Sequence, residues 1–304
     1  MVSGRWLGNI PVPFPDENCY SLLCRYAVRR GDLTSSQVSE ELFGHTQPLA
    51  GYLFKPFRLK DIDQWFGMDG ISDGLRYGAD HSCYPYYAAF LSPAHAGKIN
   101  ESRIGSAMTT GQAKRINREC GFSRGHKKRL WYCPECARED FSIRGETCWR
   151  RLPQMPGAVY CPVHKVKFRE SGVGYRDINY QIIPATYALI HLEEPDAEAG
   201  NVYEERYLRL AQDIAWLLDN GYSLRNNDWV RQTYATVSGK HIRTYLYSSA
   251  VSGGSGRARF EDYLAGKILS DCGKNRIDIS VGMHLGMILS IEEAFGSMKN
   301  FSEL

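Results

Sequence analysis

The sequence predicts a mainly α-helical protein with a small, β-containing zinc-ribbon-like module and helix-turn-helix-type helical domains. Two observations support this fold class. Apolar residues recur at helical spacing within the first fifty residues and again after residue 203. Between these stretches, a Cys-x-x-Cys pair and a Cys-x-x-His pair are separated by 24 residues, a spacing typical of metal-binding modules.

The composition is that of an ordinary globular chain. Its 304 residues are 43% hydrophobic and 23% charged, which excludes a mostly disordered protein and supplies apolar mass for a sizeable core. No apolar run reaches the length of a membrane span, and the N-terminus lacks the pattern of a secretory signal, so we expect a cytoplasmic protein without membrane contact. In a reducing compartment, nine cysteines favour metal binding over disulfides.

The N-terminal region predicts an extended arm followed by two helices. Prolines fix extended backbone over residues 9–15, and Asp16 is the predicted N-cap of a first helix that ends at Gly31. Thr34 and Gln37 have the spacing of a capping box, which predicts a second helix ending at Gly44. The pair resembles a helix-turn-helix unit, although the alternative, an ordinary helical hairpin, is commoner.

The rest of the chain predicts two further units. Residues 45–112, with a short helix over 59–66 and an aromatic-rich stretch over 77–91, complete an N-terminal domain of residues 1–112. A basic segment and zinc module occupy 113–172. A C-terminal helical domain, with a possible helix-turn-helix, occupies 173–304 and opens with an apolar stripe that Gly221 ends; its residues are Tyr207, Leu210, Ala211, Ile214, Leu217 and Leu218. Shorter helices are predicted over 228–234, 260–268 and 283–291.

The strongest chemical signal is the predicted metal site formed by Cys133, Cys136, Cys161 and His164. Two residues between ligands allow a tight turn to direct both side chains at one ion, and two such turns complete a tetrahedron. Four protein ligands leave no position for a reacting water, so we predict one structural Zn²⁺ and no catalytic site. The remaining cysteines, including Cys148 between the two pairs, are interpreted as structural thiols.

The charge is unevenly distributed along the chain. The net charge is only +3, yet the basic segment, residues 103–129, contains eight Lys or Arg residues and one acid. Such a segment attracts a polyanion, although a solvated basic face without a partner is the alternative. The candidate DNA-binding residues are Lys114, Arg115, Arg118, Arg124, Lys127, Lys128 and Arg129, together with Arg231, Lys240 and Arg243 in the C-terminal domain.

A run of three residues before the second ligand pair is a candidate partner-binding site. Trp149, Arg150 and Arg151 combine an aromatic ring with two guanidinium groups, which suits phosphate, a base or an acidic protein surface. An intramolecular network with Asp or Glu, which would hold the two zinc-binding arms together, fits the same residues.

Several of these stretches resemble one protein family. Residues 13–17 (PFPDE), 20–26 (YSLLCRY) and 41–44 (ELFG) are similar to the opening of the TniQ/TnsD family of transposon target-site selection proteins. Residues 132–164, with both ligand pairs, resemble the zinc signature of that family. The resemblance covers about residues 1–170 and is weak beyond them.

The resemblance implies a non-enzymatic protein that selects target sites for bacterial transposons. Members bind double-stranded target DNA and recruit an AAA+ ATPase transposition regulator (TnsC-like), which places them in the bacterial cytoplasm at the nucleoid. The alternative within the family is an adaptor that links an RNA-guided CRISPR effector complex to the ATPase with little direct DNA reading. The extended arm over 10–15 suits a protein contact in either case, because proline has already ordered its backbone.

Overall fold

The computed structural model describes residues 10–54, 61, 65, 77–89, 127–179, 181–190, 202–221, 288, 296, 297 and 299. These residues are mainly helical and contain one two-stranded antiparallel sheet, which confirms the predicted fold class. None of the described helices is both long and apolar enough to cross a lipid bilayer. The helices and strands are, in chain order, α1 (Cys19–Arg29), α2 (Ser35–Phe43), α3 (Tyr84–Ala88), β1 (Arg129–Tyr132), α4 (Pro134–Arg144), β2 (Arg169–Gly174), α5 (Ala185–Ala188) and α6 (Val202–Asn220), with 3-10 turns at Ala50–Leu53, Leu152–Gln154 and Asp177–Asn179.

The N-cap of helix α1 lies two residues after the predicted one. Asn18 caps it, because the Asn18 side-chain oxygen accepts a hydrogen bond from Ser21 N at 2.8 Å. The prediction of Asp16 as the cap is wrong: Asp16 has a left-handed backbone, with φ at 59°, and its carboxylate bonds to Arg151 instead. A contact 135 residues away along the chain has therefore recruited the residue that local sequence favoured as a cap.

The second helix has the predicted ends. Thr34 Oγ1 accepts from Gln37 N at 3.3 Å and Gln37 Oε1 accepts from Thr34 N at 2.8 Å, which completes the capping box. Gly44 ends α2 with a left-handed backbone, at φ 74°. The predicted helical hairpin is thus confirmed, and its assignment as a helix-turn-helix stays a prediction.

The small sheet encloses both ligand pairs. Strands β1 and β2 pair antiparallel, with Trp131 opposite Glu170 and Tyr132 opposite Arg169. Because the two strands flank residues 133–168 in sequence, their pairing closes the segment that carries the four predicted metal ligands.

Helix α6 confirms the apolar stripe predicted after residue 203. Leu210, Ile214, Leu217 and Leu218 are buried, and the helix packs against α3. The chain passes so close to α3 that a Cβ at Gly221 would lie 2.2 Å from the carbonyl oxygen of Pro85, so only glycine fits there.

Other predicted elements are described only in part. Asp61 and Trp65, within the helix predicted over 59–66, are both helical, and Ile288, within that over 283–291, is helical and buried. The helices predicted over 228–234 and 260–268 lie outside the described residues.

The segment with the four predicted metal ligands and the N-terminal helices share one core. The Trp149 side chain is fully buried, and its Nε1 donates to the carbonyl oxygen of Ile183 at 2.8 Å. Its backbone N donates to Ser21 Oγ at 2.9 Å, and its carbonyl accepts from Asn18 N at 3.0 Å. These contacts cross the predicted domain boundary between residues 112 and 113; the boundaries themselves stay predictions.

Arg151 bonds its own loop to three other segments of the chain. Its Nε lies 2.9 Å from Asp16 Oδ1, and its Nη2 lies 2.7 Å from Asp219 Oδ1 at the end of α6. Its Nη1 donates to the carbonyl oxygens of Leu218 at 3.1 Å and Ser82 at 3.4 Å. The side chain is 5% exposed, so these acceptors replace water for a buried cation.

Replacing Arg151 tests this role. We expect Arg151→Met to lower the free energy of unfolding by about 3–5 kcal/mol, because it leaves the half-buried Asp16 carboxylate without its cation and the buried carbonyl oxygens of Leu218 and Ser82 without their donor. Asp219→Asn is the control: Asp219 is 65% exposed, and loss of an exposed partner costs less than about 1 kcal/mol. Urea denaturation of the full chain measures both, and equal small effects would show that Arg151 does not hold the segments together.

Candidate metal centre

The first ligand pair lies where β1 passes into α4. Cys133 is the N-cap of α4, and its Sγ accepts a hydrogen bond from Cys136 N at 3.4 Å. Pro134 occupies the first helical position, where the missing N–H removes no helical hydrogen bond. The start of the helix therefore holds both sulfur atoms on one side, and its dipole favours their thiolate forms.

The second ligand pair lies on a tight turn before β2. Cys161 N donates to the carbonyl oxygen of Val166 at 2.9 Å, and Lys165 N donates to that of Cys161 at 2.8 Å. Lys165 has a left-handed backbone, with φ at 57°, which reverses the chain after His164. The turn thereby directs the Cys161 and His164 side chains to the first pair.

The four predicted ligands come together with the dimensions of a tetrahedral site. Their ligand atoms all lie within 4.8 Å of one another. Cys136 Sγ and Cys161 Sγ are 3.8 Å apart, and His164 Nδ1 lies 3.3 Å from Cys136 Sγ and 3.7 Å from the Sγ atoms of Cys133 and Cys161. Metal–sulfur bonds of about 2.3 Å and metal–nitrogen bonds of about 2.0 Å require tetrahedral edges of about 3.5–3.8 Å. The residues present therefore fit one metal ion.

The thiols are buried and share protons unequally. Hydrogen bonding to Cys133 and Cys161, together with burial, raises the pKa of Cys136 above its ordinary value. The pKa of Cys161 lies below its ordinary value because its sulfur accepts hydrogen bonds from Cys133 and Cys136. Three thiolates this close repel one another; a divalent cation would displace the thiol protons into solvent and offset the repulsion by its own charge.

A carboxylate lies near the outer edge of the histidine ligand. His164 turns Nδ1 to the sulfur atoms, and its Nε2 lies 3.6 Å from Glu139 Oε2 on α4. Binding of a metal ion at Nδ1 would require the proton on Nε2, on the side of this carboxylate.

A buried acidic residue one helical turn after Cys136 on α4 supports the centre. Asp140 is 1% exposed and accepts hydrogen bonds from Arg144 Nη1 at 2.7 Å, Thr147 Oγ1 at 2.8 Å and Arg150 Nη2 at 3.0 Å. The charge of Arg150 in turn favours the thiolate form of Cys136. Three thiolates and a divalent ion leave one surplus negative charge, and Arg150 lies where it offsets that charge.

Trp149, Arg150 and Arg151 face the interior of the protein. Of the two interpretations left open by the sequence, the contacts agree with the intramolecular network: Arg150 bonds to Asp140, and Arg151 bonds to Asp16 and Asp219. The sequence indicated the basic residues, but it did not identify Asp16, Asp140 and Asp219 as their partners, because nothing local distinguishes these from solvent-exposed acids.

The predicted DNA-binding residues divide into described and undescribed ones. Lys127 turns its ammonium inward, whereas Lys128 is exposed, and Arg129 is half exposed with its Nη1 at 3.4 Å from Glu170 Oε1. Burial lowers the pKa of the Lys127 ammonium to about 7. The others, Lys114, Arg115, Arg118, Arg124, Arg231, Lys240 and Arg243, lie outside the described residues.

Comparison with known proteins decides the family. The TniQ family model matches residues 10–168, just over half of the chain, and this segment contains all four ligand residues. The chain belongs to the TniQ family. This TniQ protein is also 27% identical over 159 residues to the Escherichia coli protein named transposon Tn7 transposition protein TnsD. The match spans 51% of this chain and 30% of that relative, so the chain covers less than a third of the relative's length.

Removing a ligand tests the metal centre. We expect Cys161→Ser to lower the metal bound per chain at least about tenfold and to lower the melting temperature, because small zinc modules gain on the order of 10 kcal/mol from their ion. Cys148→Ser, a buried thiol in the same loop, is the matched control and keeps its metal. Elemental analysis of the purified full chain measures the content; equal content in the two variants would contradict the assignment of Cys161.

Proposed function

We propose that this TniQ protein selects target sites in transposition, binding double-stranded target DNA and recruiting an AAA+ ATPase transposition regulator. The family match over residues 10–168 carries the proposal, and the partial identity to TnsD supports it. Because the match covers a limited part of that relative, the partners are assigned here to surfaces of this chain and tested separately.

The metal centre has a structural role in this proposal, and the ion is Zn²⁺. Three sulfur ligands and one imidazole nitrogen in a tetrahedron are a donor set that zinc occupies in structural sites. With four protein ligands, such a site has no open position at which a water could be activated, so we propose that the protein is not an enzyme.

The basic segment supplies the phosphate contacts in this proposal. Lys128 and Arg129 end this segment next to β1 with exposed side chains. Helix α2 is unsuited to DNA, because it contains Glu40 and Glu41 and no Lys or Arg, and like charges would face the phosphates. Base reading is therefore assigned to the region that contains Arg231, Lys240 and Arg243 rather than to the α1–α2 hairpin.

Salt dependence tests the DNA contact. We expect affinity for target DNA to fall steeply between about 50 and 200 mM salt, and Lys128→Ala with Arg129→Ala to reduce the slope of log K against log salt by about 1.8, two phosphate contacts. Arg29→Ala with Arg30→Ala at the end of α1 removes the same charge and leaves the slope unchanged. A slope that the two pairs alter equally would mean that total charge alone governs binding, and would overturn the site.

The adaptor function is the second candidate, and the N-terminal arm favours it. Arg25 Nη1 donates to the carbonyl oxygen of Val12 at 3.1 Å, and the Arg25 guanidinium lies 3.7 Å above the Phe14 ring. Glu17 Oε2 accepts from Phe14 N at 2.8 Å. The arm is thus held in one conformation while the Val12 side chain is 80% exposed, which suits contact with the ATPase or with a CRISPR effector complex.

A single surface substitution tests this contact. We expect Val12→Asp to weaken capture of the AAA+ ATPase encoded with the same transposon about tenfold or more, while DNA affinity stays within about twofold, because a charge enters an apolar contact. Val163→Asp makes the same change at a 76% exposed position on the metal-binding turn and serves as the control. Unchanged capture by Val12→Asp would exclude the arm as the contact.

A further inference from the structure

Lys127 is held in a cage of oxygen atoms and aromatic rings. Its Nζ donates to the carbonyl oxygens of Pro153 at 2.7 Å and Ala158 at 2.8 Å. The same ammonium lies 4.7 Å from the centre of the Trp131 ring and 5.8 Å from that of Phe168. We call these five residues the lysine clamp.

The carbonyl acceptors lie on the loop that separates the two ligand pairs. Gln154, 1% exposed, joins this loop to β1 a second time: its Oε1 accepts from Trp131 N at 3.1 Å, and its Nε2 donates to the carbonyl oxygens of Trp131 at 2.8 Å and Arg150 at 3.0 Å. The lysine clamp therefore connects the last residues of the basic segment to a part of the metal-binding module that is already fixed.

The neighbouring cations face the other way. Lys128 and Arg129 are exposed, and Arg129 has only the half-exposed Glu170 at 3.4 Å in its salt bridge. Three consecutive basic residues thus differ in environment: the Lys127 ammonium is bonded to two backbone carbonyls, whereas the side chains of Lys128 and Arg129 are exposed to solvent.

We propose that Lys127 is a positioning residue, which fixes the C-terminal end of the basic segment to the metal-binding module so that the exposed Lys128 and Arg129 meet DNA phosphates in register. The inference rests on the proposed DNA binding, and it removes Lys127 itself from the set of phosphate contacts. An apolar side chain would not replace it, because the two carbonyl oxygens would lose their donor in a buried setting.

Amine footprinting tests the placement of Lys127 without DNA. The full, metal-loaded chain is treated with an acylating reagent, and labelling of each lysine is read by mass spectrometry. Although the lowered pKa leaves more of Lys127 as the reactive free amine, we expect it to react at least about tenfold more slowly than Lys128, because its Nζ is bonded to two carbonyl oxygens and covered by two rings. Added duplex DNA then protects Lys128 and leaves Lys127 unchanged. Equal labelling of the two lysines without DNA would overturn the clamp.

Salt slopes test the positioning role. Loss of one phosphate contact changes the slope by about 0.9, and this is the upper limit expected for Lys128→Met. Lys127→Met should reduce the slope by more than about 0.9, because both Lys128 and Arg129 lose their register. Phe168→Leu, which removes a ring from the cage but no charge, should reduce it in the same direction. Metal content and melting temperature are measured for each variant to confirm a folded module.

The outcomes separate the two proposals. If Lys127→Met reduces the salt slope by about 0.9 and Phe168→Leu leaves it unchanged, Lys127 is a phosphate contact and the positioning role is overturned. An unchanged slope in Lys127→Met also overturns it. Wild-type protein that shows no salt-dependent DNA binding defeats the proposed function and positioning together, whereas the footprint without DNA still decides the clamp on its own.

Discussion

The packing of this protein depends on the burial of one guanidinium. A cation taken out of water is stable only where each of its donors meets an acceptor, and Arg151 finds its acceptors on the turn before α1, the turn before α3 and the end of α6. These acceptors are far apart in sequence, so all three segments must be in place before Arg151 is satisfied. The loop between the ligand pairs is consequently a structural part of the N-terminal region as well as of the metal module.

The metal centre adds a second constraint on the same loop. Its ends carry the ligands, while its interior carries Trp149, which bonds to Ser21 on α1, and Arg151, which bonds to Asp16 on the turn before α1. Asp140 connects the loop to the first ligand pair. It lies on α4, the helix that also carries Cys136, and it bonds to Arg150 and Thr147 in the loop. A metal ion bound by the four side chains would hold both ends of the loop, so the free energy of its binding would stabilise the N-terminal packing as well as the ligands.

Sequence predicts those features that a few neighbouring residues decide. The ligand pairs and the capping box of α2 depend on spacings of three residues, and both are found as predicted. The prediction that Asp16 caps α1 is wrong because a distant arginine, Arg151, binds its carboxylate. Likewise, a window of charge cannot separate Lys127 from Lys128, since only the folded loop determines that the first meets two carbonyl oxygens and the second meets solvent.

The same loop is bonded to two parts of the chain that lead to candidate DNA contacts: the end of the basic segment and the end of α6. Pro153 and Ala158 of this loop accept hydrogen bonds from Lys127 of the basic segment. Arg151 of the same loop is bonded to Leu218 and Asp219 at the end of α6. The basic segment ends at the first attachment, and the chain continues to its C-terminal cations from the second. If both groups of cations bind one duplex, the two parts of the chain that lead to them are both attached to residues 151–158. The loop would then link the phosphate contacts of one group to the base contacts of the other.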